Sequence, residues 1–152
     1  MFEVLVYMFE NYFEMDIRPD HGTLSRELFA AGFEQEDINS AFDWYTVLEE
    51  MSSKPDVVLI DHKHSYRIYS EIESAKLSTD SLGLLMFLEQ AQILNATQRE
   101  LIVDRAMALP QSEVDVEETR WIVLITLWNQ GKVNDYLFVE DAVFGEVNST
   151  LH

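Results

Sequence analysis

A mainly α fold is predicted: a winged-helix-like unit of three helices and a β-hairpin over residues 1–78, packed on a helical bundle over residues 79–152. Three observations carry this expectation. Apolar residues recur at helical spacing along most of the chain, the mark of amphipathic helices. One pair of β-branched and aromatic runs interrupts that pattern near residues 57–70. Hydrophobic residues are 47% of a 152-residue chain, enough to build one full core or two small ones side by side.

The elements follow in order. Phe2, Leu5, Met8, Phe9 and Tyr12 share one face, with Glu3, Glu10 and Glu14 opposite, so residues 2–14 read as an amphipathic helix. "MDIRPDHG" breaks it. Thr23 then caps a second helix through "LSRELFAA", which Gly32 ends. The third helix starts near Glu34 and runs to Glu50. Acids in its first turn complement the helix dipole, and Ile38, Ala41, Phe42, Tyr45 and Leu48 form its apolar stripe. Pro55 ends that helical stretch, and "VVLID" and "YRIYS" flank "HKHS" as the two strands of a hairpin. Three helices followed by a hairpin is winged-helix order.

Ser70 and Glu73 have the spacing of a capping box, which starts a short helix over "EIESAKL". "STDS" reads as a polar joint. Beyond it the chain reads as helical throughout: "LGLLMFLEQAQI" from 82, "QRELIVDRAMAL" from 98, "VEETRWIVLITLWNQ" from 116, and a last helix through "NDYLFVEDAVF". Thr97 and Glu100 are assigned a second capping box, and Pro110 stops the helix there. "AAGFEQEDINSAF" and "QAQILNATQRELI" share a helix, turn, helix plan, which convergent turn chemistry explains without a repeat.

Composition narrows the function. The formal charge of -18 repels a phosphate backbone, so direct nucleic-acid binding takes second place. Cysteine is absent, which removes disulfides, thiol catalysis and thiolate metal sites, and suits the reducing cytoplasm. "MFEVLVYMFENYFE" carries glutamates and no basic start, unlike a secretory signal. "WIVLITLW" at 121–128 is far short of the roughly 20 residues that span a bilayer, so no membrane association is expected.

Catalytic chemistry lacks its usual handles. There is no GxSxG elbow and no phosphate-binding glycine loop, and the expectation is a non-enzymatic protein without a cofactor. His62 and His64 would share a face of a continuing strand, but a solvated hairpin tip accounts for them better, and no metal site is assigned. Pairs such as Glu36 and Asp37 or Glu117 and Glu118 are inevitable among 28 acids and read as solvated faces. Trp44, Tyr45, Trp121 and Trp128 are aromatic residues of the kind that anchor interfaces, although the stripe of Trp121, Leu124, Ile125 and Trp128 reads as core.

Charge patterning carries the sharpest functional signal. Residues 52–79 balance Lys54, Lys63, Arg67 and Lys76 against Asp56, Asp61, Glu71 and Glu73, while both flanks are strongly acidic. A winged helix that grips DNA needs bases on its third helix, and this one has none from Glu34 to Glu50. The third helix therefore reads as a docking face for a protein with a basic surface, through Glu34, Glu36, Asp37, Asn39, Ser40 and Asp43. The alternative is nucleic-acid binding through the wing, with Lys54, Lys63, Arg67 and Lys76 on phosphates.

Several stretches together resemble the bacterial Smg family: "MFEVLVYMFENY", "AGFEQEDINSAFDW", "RIYS", "FLEQAQILNATQRELIVDRAMAL", the Trp121 and "LITLWNQ" of the sixth helix, and the final "LH". The resemblance runs nearly end to end. It implies a small cytosolic bacterial protein with no established activity, cofactor or catalytic residues, whose genes often lie near genes for DNA processing. It assigns no role to His152 or to any other residue.

Overall fold

A computed structural model describes residues 1–13, 19–53 and 68–131. Seven α-helices occur among them: α1 (Phe2–Met8), α2 (His21–Ala30), α3 (Gln35–Ser53), α4 (Glu71–Lys76), α5 (Thr79–Gln90), α6 (Ala96–Met107) and α7 (Val116–Asn129). The mainly α class is thus observed. The hairpin expected near residues 57–70 lies outside the described residues, save for Ile68–Ser70, and these form no strand. The winged-helix-like reading depends on that hairpin and falls outside the described residues with it; the described residues are helical and form no strand. The last expected helix, through "NDYLFVEDAVF", also lies outside the described residues. The chain divides into two compact units, Met1–Glu50 and Met51–His152.

In the first unit α1 buries Val4, Leu5 and Met8, and a π-helical turn, Phe9–Phe13, continues it. The stretch that reads in sequence as one helix is therefore two forms in series. A π turn fits about one extra residue into the spiral and so rotates the side chains beyond it about the helix axis. Phe9 remains in the core, and the Tyr12 hydroxyl donates to the Glu27 carboxylate at 2.5 Å.

The cap of α2 is Asp20, not Thr23. Asp20 is the residue in extended conformation, and its carboxylate accepts from the Thr23 main-chain N–H at 2.7 Å. That bond holds the Asp20 carboxyl below its ordinary range. At the other end, Gly32 turns the chain at φ 103°. Phe33 N–H donates to Leu28 O at 3.3 Å and Gly32 N–H to Phe29 O at 3.0 Å, the two bonds of a Schellman turn. Leu24 and Leu28 face inward one turn apart, whereas Phe29 lies about 100° around the helix and stays in solvent.

α3 buries Ile38, Ala41, Phe42, Trp44 and Leu48. This is the expected stripe with Trp44 added and Tyr45 only half-buried. Trp44 is core rather than an exposed anchor.

The second unit is organised around α7, in which six successive residues, Ile122 to Leu127, are buried. Successive residues lie about 100° apart, so this part of α7 is covered on every side, and half-buried Trp121 and Trp128 flank it. α5 and α6 pack on it and on each other. Capping fixes the helix starts. Ser70 and Glu73 form the expected capping box, and Ser78 caps α5, so the "STDS" joint is helix rather than linker. The box at α6 belongs to Asn95 and Gln98, two residues before the expected Thr97 and Glu100, because Asn95 holds the extended conformation a cap requires. A further box, Asp115 with Glu118, opens α7.

One polar seam ties α4 and α5 to the loop before α7. Val114 N–H donates to Lys76 O at 2.7 Å and Ser78 N–H to Val114 O at 3.1 Å, which makes the parallel bridge of Leu77 with Val114. The Ser81 hydroxyl, fully buried, donates to Val114 O at 3.1 Å and accepts from Thr119 at 2.9 Å.

Candidate functional site

The first turns of α3 form the candidate docking face. Ile38, Ala41, Phe42 and Trp44 hold one side of the helix in the core, which fixes the opposite side in solvent. There the structure places Glu34, Glu36, Asn39, Ser40 and Asp43, all exposed. The Asn39 side chain accepts from Gln35 Nε2 at 2.9 Å, one turn away. Asp37 stands apart: it is half-buried and its Oδ1 lies 3.3 Å from the Met1 amine. It belongs to the link between α1 and α3 rather than to the open face.

Of the alternative basic set, only Lys76 lies among the described residues. Lys54, Lys63 and Arg67 lie outside the described residues. Lys76 is half-buried, and its ammonium donates to the main-chain carbonyls of Met107, at 2.7 Å, and Leu109. The Met107 carbonyl is one that α6 leaves open at its end, where a cation is favoured, and Leu109 lies in the turn just beyond.

Other acids hold the fold. Glu118 completes the cap of α7 and accepts from the Gln111 side chain, and burial pushes its carboxyl up. Glu117 takes Arg120 at 2.6 Å. Arg99 pairs with Glu89 and Glu100, and Arg105, buried, pairs with Asp104 at 2.8 Å. Among the described residues no group of three His, Cys, Asp or Glu could hold a metal ion. His62, His64 and His152 lie outside those residues, and His21 rests its ring on Phe42, 4.3 Å between centroids. No helix among the described residues is long and apolar enough to cross a membrane.

Sequence reasoning missed one surface feature. Phe29, Ala30, Ala31 and Gly32 are four exposed residues in succession without a polar side chain, immediately before the acidic start of α3. The signal is present in the spacing: with Leu24 and Leu28 facing in, Phe29 falls outside the stripe.

Comparison with known proteins decides the family. A family model described as a protein of unknown function, DUF494, matches residues 1–152. The chain belongs to the DUF494, or Smg, family. It is 67% identical over 152 residues to the Protein Smg homolog of Methylobacillus flagellatus, covering all of both chains. The Protein Smg homolog of Alkalilimnicola ehrlichii is 41% identical over 155 residues, with 100% of this chain and 98% of the relative covered. That of Shewanella frigidimarina is 38% identical over 156 residues, covering 100% and 99%. No solved structure matches the chain.

Proposed function

We propose that this member of the Smg family is a non-enzymatic interaction or regulatory protein of the cytoplasm, which docks a protein partner with a basic surface through the outward face of α3. One observation carries the reading: Glu36 and Asp43 stand exposed on a helix that has no base along its length, with exposed Glu34 immediately before it. Negative potential of this kind attracts a basic polypeptide and speeds its arrival, and it repels phosphate. Asn39 and Ser40, between the acids, supply neutral donors and acceptors that fix register once the partner is seated.

The test is affinity capture from bacterial lysate at low and high salt, comparing wild type with a Glu36→Lys, Asp43→Lys variant. Asp37 is left intact because it pairs with the Met1 amine. Proteins retained by wild type at low salt and lost by the variant support the reading. Identical retention by both at each salt rejects it.

A further inference from the structure

Gly32 makes the turn that ends α2, but the exposed Phe29 side chain before it takes no part in the buried face of that helix. Leu24 and Leu28 already supply the buried face of α2, and Phe29 stands 62% exposed. A strip of three consecutive exposed apolar residues, Phe29, Ala30 and Ala31, breaks the polar pattern of a solvated surface unless something binds there. Gly32 keeps the strip low: at φ 103° it makes the turn, and a Cβ built on it would meet nothing within 4 Å, so the surface beside it is open.

Charge says what fits. Beyond the strip come the exposed Glu34 and Glu36; the last turn of α2 has no base, and Arg26 is turned to the Thr23 hydroxyl at 3.5 Å. A second copy of this chain would bring another -18 of charge, and nucleic acids and anionic membrane surfaces would bring phosphate, so all three are repelled. The strip is too small for a standard interface of roughly 1,600 Å² between globular proteins, but it suits one anchoring side chain from a short segment.

We propose that this strip is the apolar seat of the α3 docking face, and that its occupant is a cationic amphipathic polypeptide segment. An apolar side chain of the segment covers Phe29 and the two alanines, while its lysines or arginines meet Glu34 and Glu36. This deepens the reading of α3 as a docking face and rests on it.

Fluorescence anisotropy separates the two claims. The probes are a labelled leucine and lysine helix with segregated faces and a charge-matched oligolysine. Wild type binds the amphipathic peptide more tightly; Phe29→Ser removes that preference, about tenfold, without weakening oligolysine binding, and Phe29→Leu retains it. Circular dichroism confirms that Phe29→Ser keeps its helices, as expected at an exposed site. Equal affinity of wild type for both peptides, or of Phe29→Ser and wild type for the amphipathic one, overturns this inference and leaves the α3 reading standing. Unchanged binding of both peptides by Glu34→Lys, Glu36→Lys overturns the α3 reading itself.

Discussion

The ammonium of Lys76, at the end of α4, donates to the Met107 carbonyl at 2.7 Å, and the same group satisfies the Leu109 carbonyl. A cation from one helix thereby finishes another. Lys76→Met keeps the aliphatic stem and removes the donors, leaving the last carbonyl of α6 and that of Leu109, just beyond it, without them. The expected loss is about 1–3 kcal/mol of stability, measured by urea denaturation.

Ser81 and Thr119 act as a pair. Both are fully buried, and the Ser81 hydroxyl passes the hydrogen bond it receives from Thr119 on to Val114 O. Ser81→Ala and Thr119→Val each cost about 1–3 kcal/mol, since each leaves a buried polar partner incomplete. The double variant costs clearly less than the sum of the two, because the hydroxyls belong to one network. A double-mutant cycle in urea reads the difference, and strict additivity would show that they act separately.

Two turns share one geometry and differ in the residue at the strained place. Phe33 N–H to Leu28 O and Gly32 N–H to Phe29 O close the end of α2; Ile93 N–H to Leu88 O and Gln92 N–H to Glu89 O close the end of α5. The left-handed position is held by Gly32 at φ 103° in one and by Gln92 at φ 63° in the other. Gln92→Gly therefore raises stability by about 0.5–1 kcal/mol, and Gly32→Ala lowers it by about 1 kcal/mol through backbone strain alone, since its Cβ meets nothing. Thermal melts of the two variants move in opposite directions.

Tyr12 supplies a pH dependence. Burial, and then its hydrogen bond to the Glu27 carboxylate, push its phenol up to about 12. A folded-state value above the unfolded one near 10 means that the contribution is complete below pH 10 and is lost as pH rises to about 12. Wild type loses stability relative to Tyr12→Phe across that window. Parallel stability curves for the two proteins between pH 10 and 12 would contradict the assignment.

Much of the fold is legible from residue order. Helical spacing places the core faces of α1 and α3, and the Ser70 and Glu73 box stands where its spacing puts it. Helix starts are the weak point: Asp20 and Asn95 compete with Thr23 and Thr97, all of them residue types that cap, and backbone conformation chooses between them. The π turn at Phe9–Phe13 leaves no mark in a pattern that suits an α-helix equally well. The acidic face of α3 is readable because burying Ile38, Ala41 and Phe42 forces its opposite side outward. The pairing that takes Asp37 off that face is hidden, because its partner, the Met1 amine, is 36 residues away in sequence. Lys76 reads as a surface base for the same reason, its carbonyl partners being more than 30 residues on.

Docking through the acidic face of α3 is tested by the affinity of the captured partner for wild type and for a Glu34→Lys, Glu36→Lys, Asp43→Lys variant, titrated against salt, with duplex DNA as the parallel ligand. Charge reversal is expected to weaken partner binding at least about tenfold at low salt, with the gap closing as salt screens it, and neither protein is expected to bind duplex DNA measurably. Equal affinity of both proteins for the partner, or tight binding of duplex DNA by wild type that falls steeply with salt, would contradict docking through that face.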